Sequence, residues 1–128
     1  VIEQIHQFSV FALTGLIWII QLVHYPSFHF VEKSRWAEFH QFHTFWITPV
    51  VAPMMLLQLG SSFFWAGPEK WIFVGLSLFV FAVTFIVSVP LHQRLEKSYD
   101  ENALKKLIQT NWIRTLAWSA HALLLFVR

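Results

Sequence analysis

Apolar residues run in four long blocks divided by short polar stretches, near Ile5 to Tyr25, His43 to Ala66, Trp71 to Pro90 and Trp112 to Val127. At about 1.5 Å of rise per helical residue, each block crosses a hydrocarbon core of roughly 30 Å, or most of it. The pattern therefore predicts an all-α, four-transmembrane-helix bundle forming a single integral membrane domain over residues 1–128. All seven acidic residues, Glu3, Glu32, Glu38, Glu69, Glu96, Asp100 and Glu101, lie outside the blocks, as the cost of an ionised group in lipid requires. The first block lacks a basic flank and exceeds the apolar core of a secretory signal, so it is expected to persist in the mature protein.

Local signals set the expected boundaries. Pro26 disfavours helical geometry at Tyr25, which predicts that the first span stops there and that Ser27 to Ser34 turns the chain. From Arg35 to His43, Trp36, Phe39 and Phe42 alternate with polar residues as in a helix lying at headgroup level. Pro49 and Pro53 predict a kink in the second span. Ala66-Gly67-Pro68-Glu69 reads as a tight turn, with Trp65 and Trp71 forming an aromatic belt. Ser98 and Glu101 match a capping box that restarts a helix near Glu101. The early turns of that helix, with Leu104, Leu107 and Ile108 opposite Lys105 and Lys106, predict an amphipathic extension of helix 4 protruding into the cytoplasm.

Charge fixes an orientation. Lys33 and Arg35 occupy the first connection and Arg94, Lys97, Lys105 and Lys106 the third, whereas the second has only Lys70. The positive-inside rule then puts both termini on the non-cytoplasmic side. That asymmetry accounts for the sequence pI near 9.2, so no nucleic-acid partner is implied. Without cysteine the chain has no disulfide, no thiolate ligand and no Fe–S cluster.

Polar residues within the spans form stripes. Ser77, Thr84, Ser88 and His92 repeat at helical intervals in the third span, and Thr14, Trp18, Gln21 and Tyr25 share a face of the first. The second offers His40, His43, Thr44, Ile47 and Val51 towards Met55 and Gln58; the fourth offers Asn111, Thr115 and Trp118 beside Arg114 and His121. Because hydrogen-bonding groups avoid lipid, these stripes should converge on a polar funnel at the cytoplasmic end. Its expected lining is His24, Tyr25, His40, His43, His92, Asn111 and Arg114, with Gln21 and Ser88 one turn deeper.

Imidazole suits zinc, copper or iron where thiolates are lacking, which makes His24, His40, His43 and His92 candidate ligands of a transition metal (Cu, Fe or Zn). Bis-histidine haem is an alternative, His24 or His43 facing His92. No glutamate projects inward from the spans, which argues against a di-iron carboxylate site. His29 belongs to an interfacial turn, and His121 has no evident partner at its depth. Arg114 either reaches up to the headgroups or supplies a fixed positive charge for an anionic or enolic oxygen. In the second case, with Tyr25, Asn111 and the histidines moving protons, the set suits a lipophilic phenolic or quinone-like substrate entering from the bilayer.

The run Val89-Pro90-Leu91-His92-Gln93-Arg94-Leu95, followed by Asn111-Trp112-Ile113-Arg114-Thr115, resembles the signature of the anthrone oxygenase-like family of small four-span membrane proteins. His92 stands where that family more typically has asparagine. His24-Tyr25-Pro26 and the pair His40 and His43 look more like an uncharacterised bacterial branch. The resemblance implies a bacterial inner-membrane protein with Pro90, His92, Asn111 and Arg114 at its site, and an oxygenase acting on polycyclic phenols as one member activity. Two classes of function stay open: a membrane oxidoreductase or oxygenase, and a non-catalytic accessory subunit or homo-oligomer. The latter's surface, drawn from fourteen Phe and seven Trp, packs on partner helices, lipids or pigments.

Overall fold

A computed structural model describes all 128 residues and contains no strand. Four helices follow one another: α1 over Ile2–Phe30, α2 over Lys33–Phe63, α3 over Lys70–Lys97 and α4 over Glu101–Phe126. Helices α1, α2 and α3 are long and apolar enough to cross a membrane. Large apolar side chains lie on the outside, among them Phe45, Trp46, Leu56, Phe85, Ile86 and Leu116. Such an exterior is costly in water and favourable against acyl chains, so the chain is a membrane protein in contact with lipid.

Each helix packs against the next in sequence and α4 closes back on α1, so the order around the bundle is cyclic and neighbours run antiparallel. One end carries Lys33, Arg35, Arg94, Lys97, Lys105 and Lys106; we call it the basic end. The opposite end holds both termini and the turn between α2 and α3. Leu13, Ile17, Ile20, Met55, Val80 and Trp118 form the central core, which continues to the basic end through Phe28, Trp36, Leu95, Leu104 and Leu107. A smaller cluster of Val10, Trp65, Phe73 and Leu125 closes the other end.

Several boundaries differ from those the sequence predicts. Helix α1 does not stop at Pro26: it widens into a π turn over Ile20–His24 and continues to Phe30. A matching π turn over Thr84–Ser88 precedes Pro90 in α3. In both, the residue before the proline donates five residues back, Tyr25 to Ile20 and Val89 to Thr84. The wider turn lets the helix absorb a residue that lacks an N–H and would crowd the preceding turn. Pro49 and Pro53 lie within uninterrupted helix.

The stretch from Arg35 to His43 runs without a break into α2 and is two-faced, with Trp36, His40 and His43 in the interior and Ala37, Glu38, Gln41 and Phe42 exposed. The first turns of α4 are amphipathic and pack on the bundle, with Lys105 and Lys106 exposed. Ala103, Leu104 and Leu107 are fully buried against Leu91, Leu95 and Trp36, because the basic ends of α2 and α3 offer them an apolar wall. The cap of α4 is Asp100, not Ser98: its carboxylate accepts from the Ala103 N–H at 3.0 Å while Ser98 is extended. That N–H, with help from Arg94, holds the Asp100 carboxyl below its ordinary pKa. Trp71 is exposed as an interfacial residue should be, but Trp65 is buried beneath the Arg128 guanidinium, 4.3 Å from its ring centre.

Candidate functional site

At the basic end the two π turns re-aim the residues that follow them. His24 and Tyr25 from α1, His40 and His43 from α2, His92 from α3 and Arg114 from α4 meet in one place, as their matched depths predict. His24 Nε2 and His43 Nδ1 are 2.8 Å apart. Tyr25 Oη lies 3.0 Å from His92 Nε2, and His92 Nδ1 lies 3.1 Å from His40 Nε2. His40 stacks on Trp36 at 5.6 Å, and the Trp36 indole is fixed by donating to the Leu95 carbonyl at 2.7 Å.

Deeper in the bundle, Gln21 ties α1 to α4. Its amide oxygen accepts from Asn111 Nδ2 at 2.9 Å, and its Nε2 donates to the Ile108 carbonyl at 3.0 Å. Thr115 donates to that same oxygen at 3.2 Å. Asn111 is therefore a brace for α4 rather than a free hydrogen-bonding group.

Arg114 does not reach the headgroups. It is 5% exposed, and its Nη1 makes only two long contacts, to Ser88 Oγ at 3.4 Å and Asn111 Oδ1 at 3.5 Å. Nε has no partner and no carboxylate pairs with the guanidinium, whose other neighbours are the Tyr25 hydroxyl, the His92 ring and the Trp118 ring at 5.2 Å.

Beside Arg114 lies a cavity of about 400 Å³ walled by α2 and α3, with Tyr25, His43, Ser88, His92 and Arg114 at its polar end. Ile47, Val51, Met55, Phe81 and Phe85 supply the apolar walls. Ala52, Leu56 and Phe85 line it and are also exposed, so it opens sideways between α2 and α3 onto the apolar exterior. Glu96 and Gln93 flank it nearer the basic end.

The four imidazoles expected to bind metal do meet, but their nitrogens hydrogen-bond to one another and to Tyr25. The two left unpartnered and buried are His40 Nδ1 and His43 Nε2. No three His, Asp or Glu side chains are arranged to hold a metal ion. Nor does His92 offer a free nitrogen to an axial haem position, since both of its ring nitrogens are engaged. This donor set fits acid–base chemistry better than metal or haem ligation.

A second polar cluster, at the opposite end, is one the sequence does not announce. His121 has a partner after all, with its Nε2 lying 3.0 Å from Nε2 of His6. The directions of the bonds follow from their chemistry. Trp118 can only donate, so its indole N–H goes to Gln58 Oε1 at 2.9 Å, leaving Gln58 Nε2 to donate to His121 Nδ1 at 3.0 Å. His121 then carries its proton on Nε2 and donates to His6. His6 donates from Nδ1 to Ser61 Oγ at 2.9 Å, and Ser61 donates to the Leu57 carbonyl at 2.6 Å. Every partner is satisfied with neutral rings, so this cluster ties α1, α2 and α4 together and leaves nothing for a ligand. The missed signal is His6 itself. It shares a helical face with Val10, Leu13 and Ile17, at a distance from the start of α1 that matches His121 from the end of α4. His29, as expected, is exposed at the end of α1.

No family model, curated protein or solved structure matches the chain. The resemblance to the anthrone oxygenase-like family therefore rests on its motif residues alone. Of these, His92, Asn111 and Arg114 come together at the basic end, while Pro90 is exposed behind them.

Proposed function

We propose that this protein takes a lipophilic phenol or quinol from the bilayer into the cavity between α2 and α3, where Arg114 holds its oxygen and His43, beside the Tyr25 and His92 pair, exchanges its proton. The observation that carries this is the uncompensated guanidinium. A buried charge without a counter-charge costs several kcal/mol, and a site keeps one where a ligand supplies the missing negative oxygen. The rest of the cavity is consistent with the same ligand class: largely apolar walls for a ring and tail, Tyr25, His43, His92 and Arg114 gathered at one end, and a mouth facing lipid.

Under this proposal α4 is a fourth span, both termini lie outside the cytoplasm of a bacterial inner membrane, and the site sits at the cytoplasmic end. Membership of the anthrone oxygenase-like family would make the acid–base residues part of an oxygenation or oxidation of the bound phenol. The chemistry assigned to the residues themselves is binding, orientation and proton exchange.

The test is binding of 4-hexyl-2-nitrophenol to the detergent-purified protein, followed by the visible band of its phenolate. Wild-type protein should bind the probe and ionise it below the pH at which it ionises free in detergent. Arg114→Gln should weaken binding at least tenfold. Equal binding by wild type and Arg114→Gln would remove the proposal. The exposed aromatics do not favour the accessory-subunit alternative, because spanning helices present the same residues to acyl chains.

A further inference from the structure

Given the phenol-binding role proposed above, we infer that His43 and His24 form a two-imidazole relay that carries the ligand's proton out of the cavity to the surface at the basic end. His43 is shared between the cavity and a second imidazole. It lines the polar end, its Nε2 is buried with no protein partner, and its Nδ1 is 2.8 Å from His24 Nε2. His24 is outside the cavity lining and partly exposed, and its remaining nitrogen, Nδ1, is not among the buried atoms. It lies about two and a half to three helical turns from the charged connection at Lys33 and Arg35.

The steps balance without an oxidant. His43 begins with its proton on Nδ1, donated to His24, and its Nε2 lone pair held by no protein group. The phenolic O–H bond breaks and its proton forms a bond to His43 Nε2. The Nδ1 proton of His43 passes to His24 Nε2, and the Nδ1 proton of His24 passes to water. A phenolate is left against Arg114, one proton appears outside, and both rings have exchanged tautomers. The reverse sequence, when a proton returns, restores them.

The neighbouring histidines cannot do this. Tyr25, His92 and His40 form a second hydrogen-bonded branch, but it ends at His40 Nδ1, which is buried against Trp36. A proton entering it has nowhere to go, so it holds Tyr25 and His92 in place. The competing route is Glu96, an exposed carboxylate beside the cavity.

The experiment mixes the nitrophenol probe with protein in a stopped-flow instrument, following phenolate absorbance and a pH dye in bulk solution together. His24→Gln keeps a hydrogen bond to His43 Nδ1 but cannot pass a proton, so ionisation and proton release should slow at least tenfold. The final phenolate amplitude should change less than threefold. His24→Ala should be slow and recover when free imidazole is added, whereas His29→Ala should behave as wild type. Melting temperatures within a few degrees of wild type confirm that each variant folds. Wild-type rates in His24→Gln, or slowing only in Glu96→Gln, would overturn the relay and leave the binding site intact. Absence of any phenolate signal in wild type would overturn the site proposal and the relay with it.

Discussion

Two residues define opposite ways of burying polarity in this bundle. Gln58 is 1% exposed and accepts from Trp118 while donating to His121, so Gln58→Leu leaves an indole N–H and a ring nitrogen unpartnered. Each such orphan costs about 1–3 kcal/mol, and a clear loss of stability in detergent should appear in chemical or thermal unfolding. Arg114 has no comparable set of partners, and removing its charge should have the opposite sign. Arg114→Met is expected to raise stability by about 1–3 kcal/mol while abolishing probe binding. A destabilised Arg114→Met would show that the guanidinium is structural. The meeting of His24, Tyr25, His40, His43, His92 and Arg114 was legible because depth along each helix can be counted from the polar connections. Hydrogen-bond pairing among the rings was not, since it depends on rotamers that helical spacing leaves open. His6 was hidden for another reason: it sits beside Glu3 and Gln4, where a polar flank is expected.

At the scale of elements, hydrophobic blocks located all four helices, and turn chemistry misplaced some of their ends. Pro26 and Pro90 act as stop signals in a regular α-helix, but a π turn changes the local register and lets α1 and α3 run on. The restart of α4 is capped by Asp100, where the sequence pattern points to Ser98. Asp100 has its carboxyl pKa lowered in the folded protein, so its contribution is complete above the ordinary carboxylate range and is lost as pH falls through the folded value. Asp100→Ala should therefore melt below wild type in neutral buffer, with the gap closing on acidification below about pH 4. A gap that persists in acid would assign the effect to something other than the charged cap. The turn between α2 and α3 is equally specific. A Cβ at Gly67 would lie 2.5 Å from the Glu69 carboxylate and 2.6 Å from Trp65 Nε1. Trp65 is pinned between Phe73 and Arg128, so Gly67→Ala should cost about 1–3 kcal/mol in unfolding measurements through forced displacement of the indole.

For the whole molecule, the question is what α4 does in the bilayer. Its first half carries Glu101, Lys105, Lys106, Asn111 and Arg114, too much polarity for it to qualify by composition with α1, α2 and α3. Packing supplies what composition does not. Leu104, Leu107, Asn111, Arg114, Trp118, His121 and Leu125 are buried along its length, and its contacts with α1 extend from Gln21 and Ile108 at the basic end to His6 and His121 at the other. A helix that stayed on one surface could not make both sets of contacts, so α4 should cross beside α1 and put the C-terminus on the far side from Lys105. The chain has no cysteine, so single cysteines can be introduced without background. In right-side-out vesicles, Arg128→Cys and Lys70→Cys should react with a membrane-impermeant maleimide, and Lys105→Cys only after the membrane is opened. Protection of Arg128→Cys alongside Lys105→Cys would mean that α4 does not cross. The cavity would then lose one wall to the cytoplasm, and a ligand held by Arg114 would arrive from water rather than from lipid.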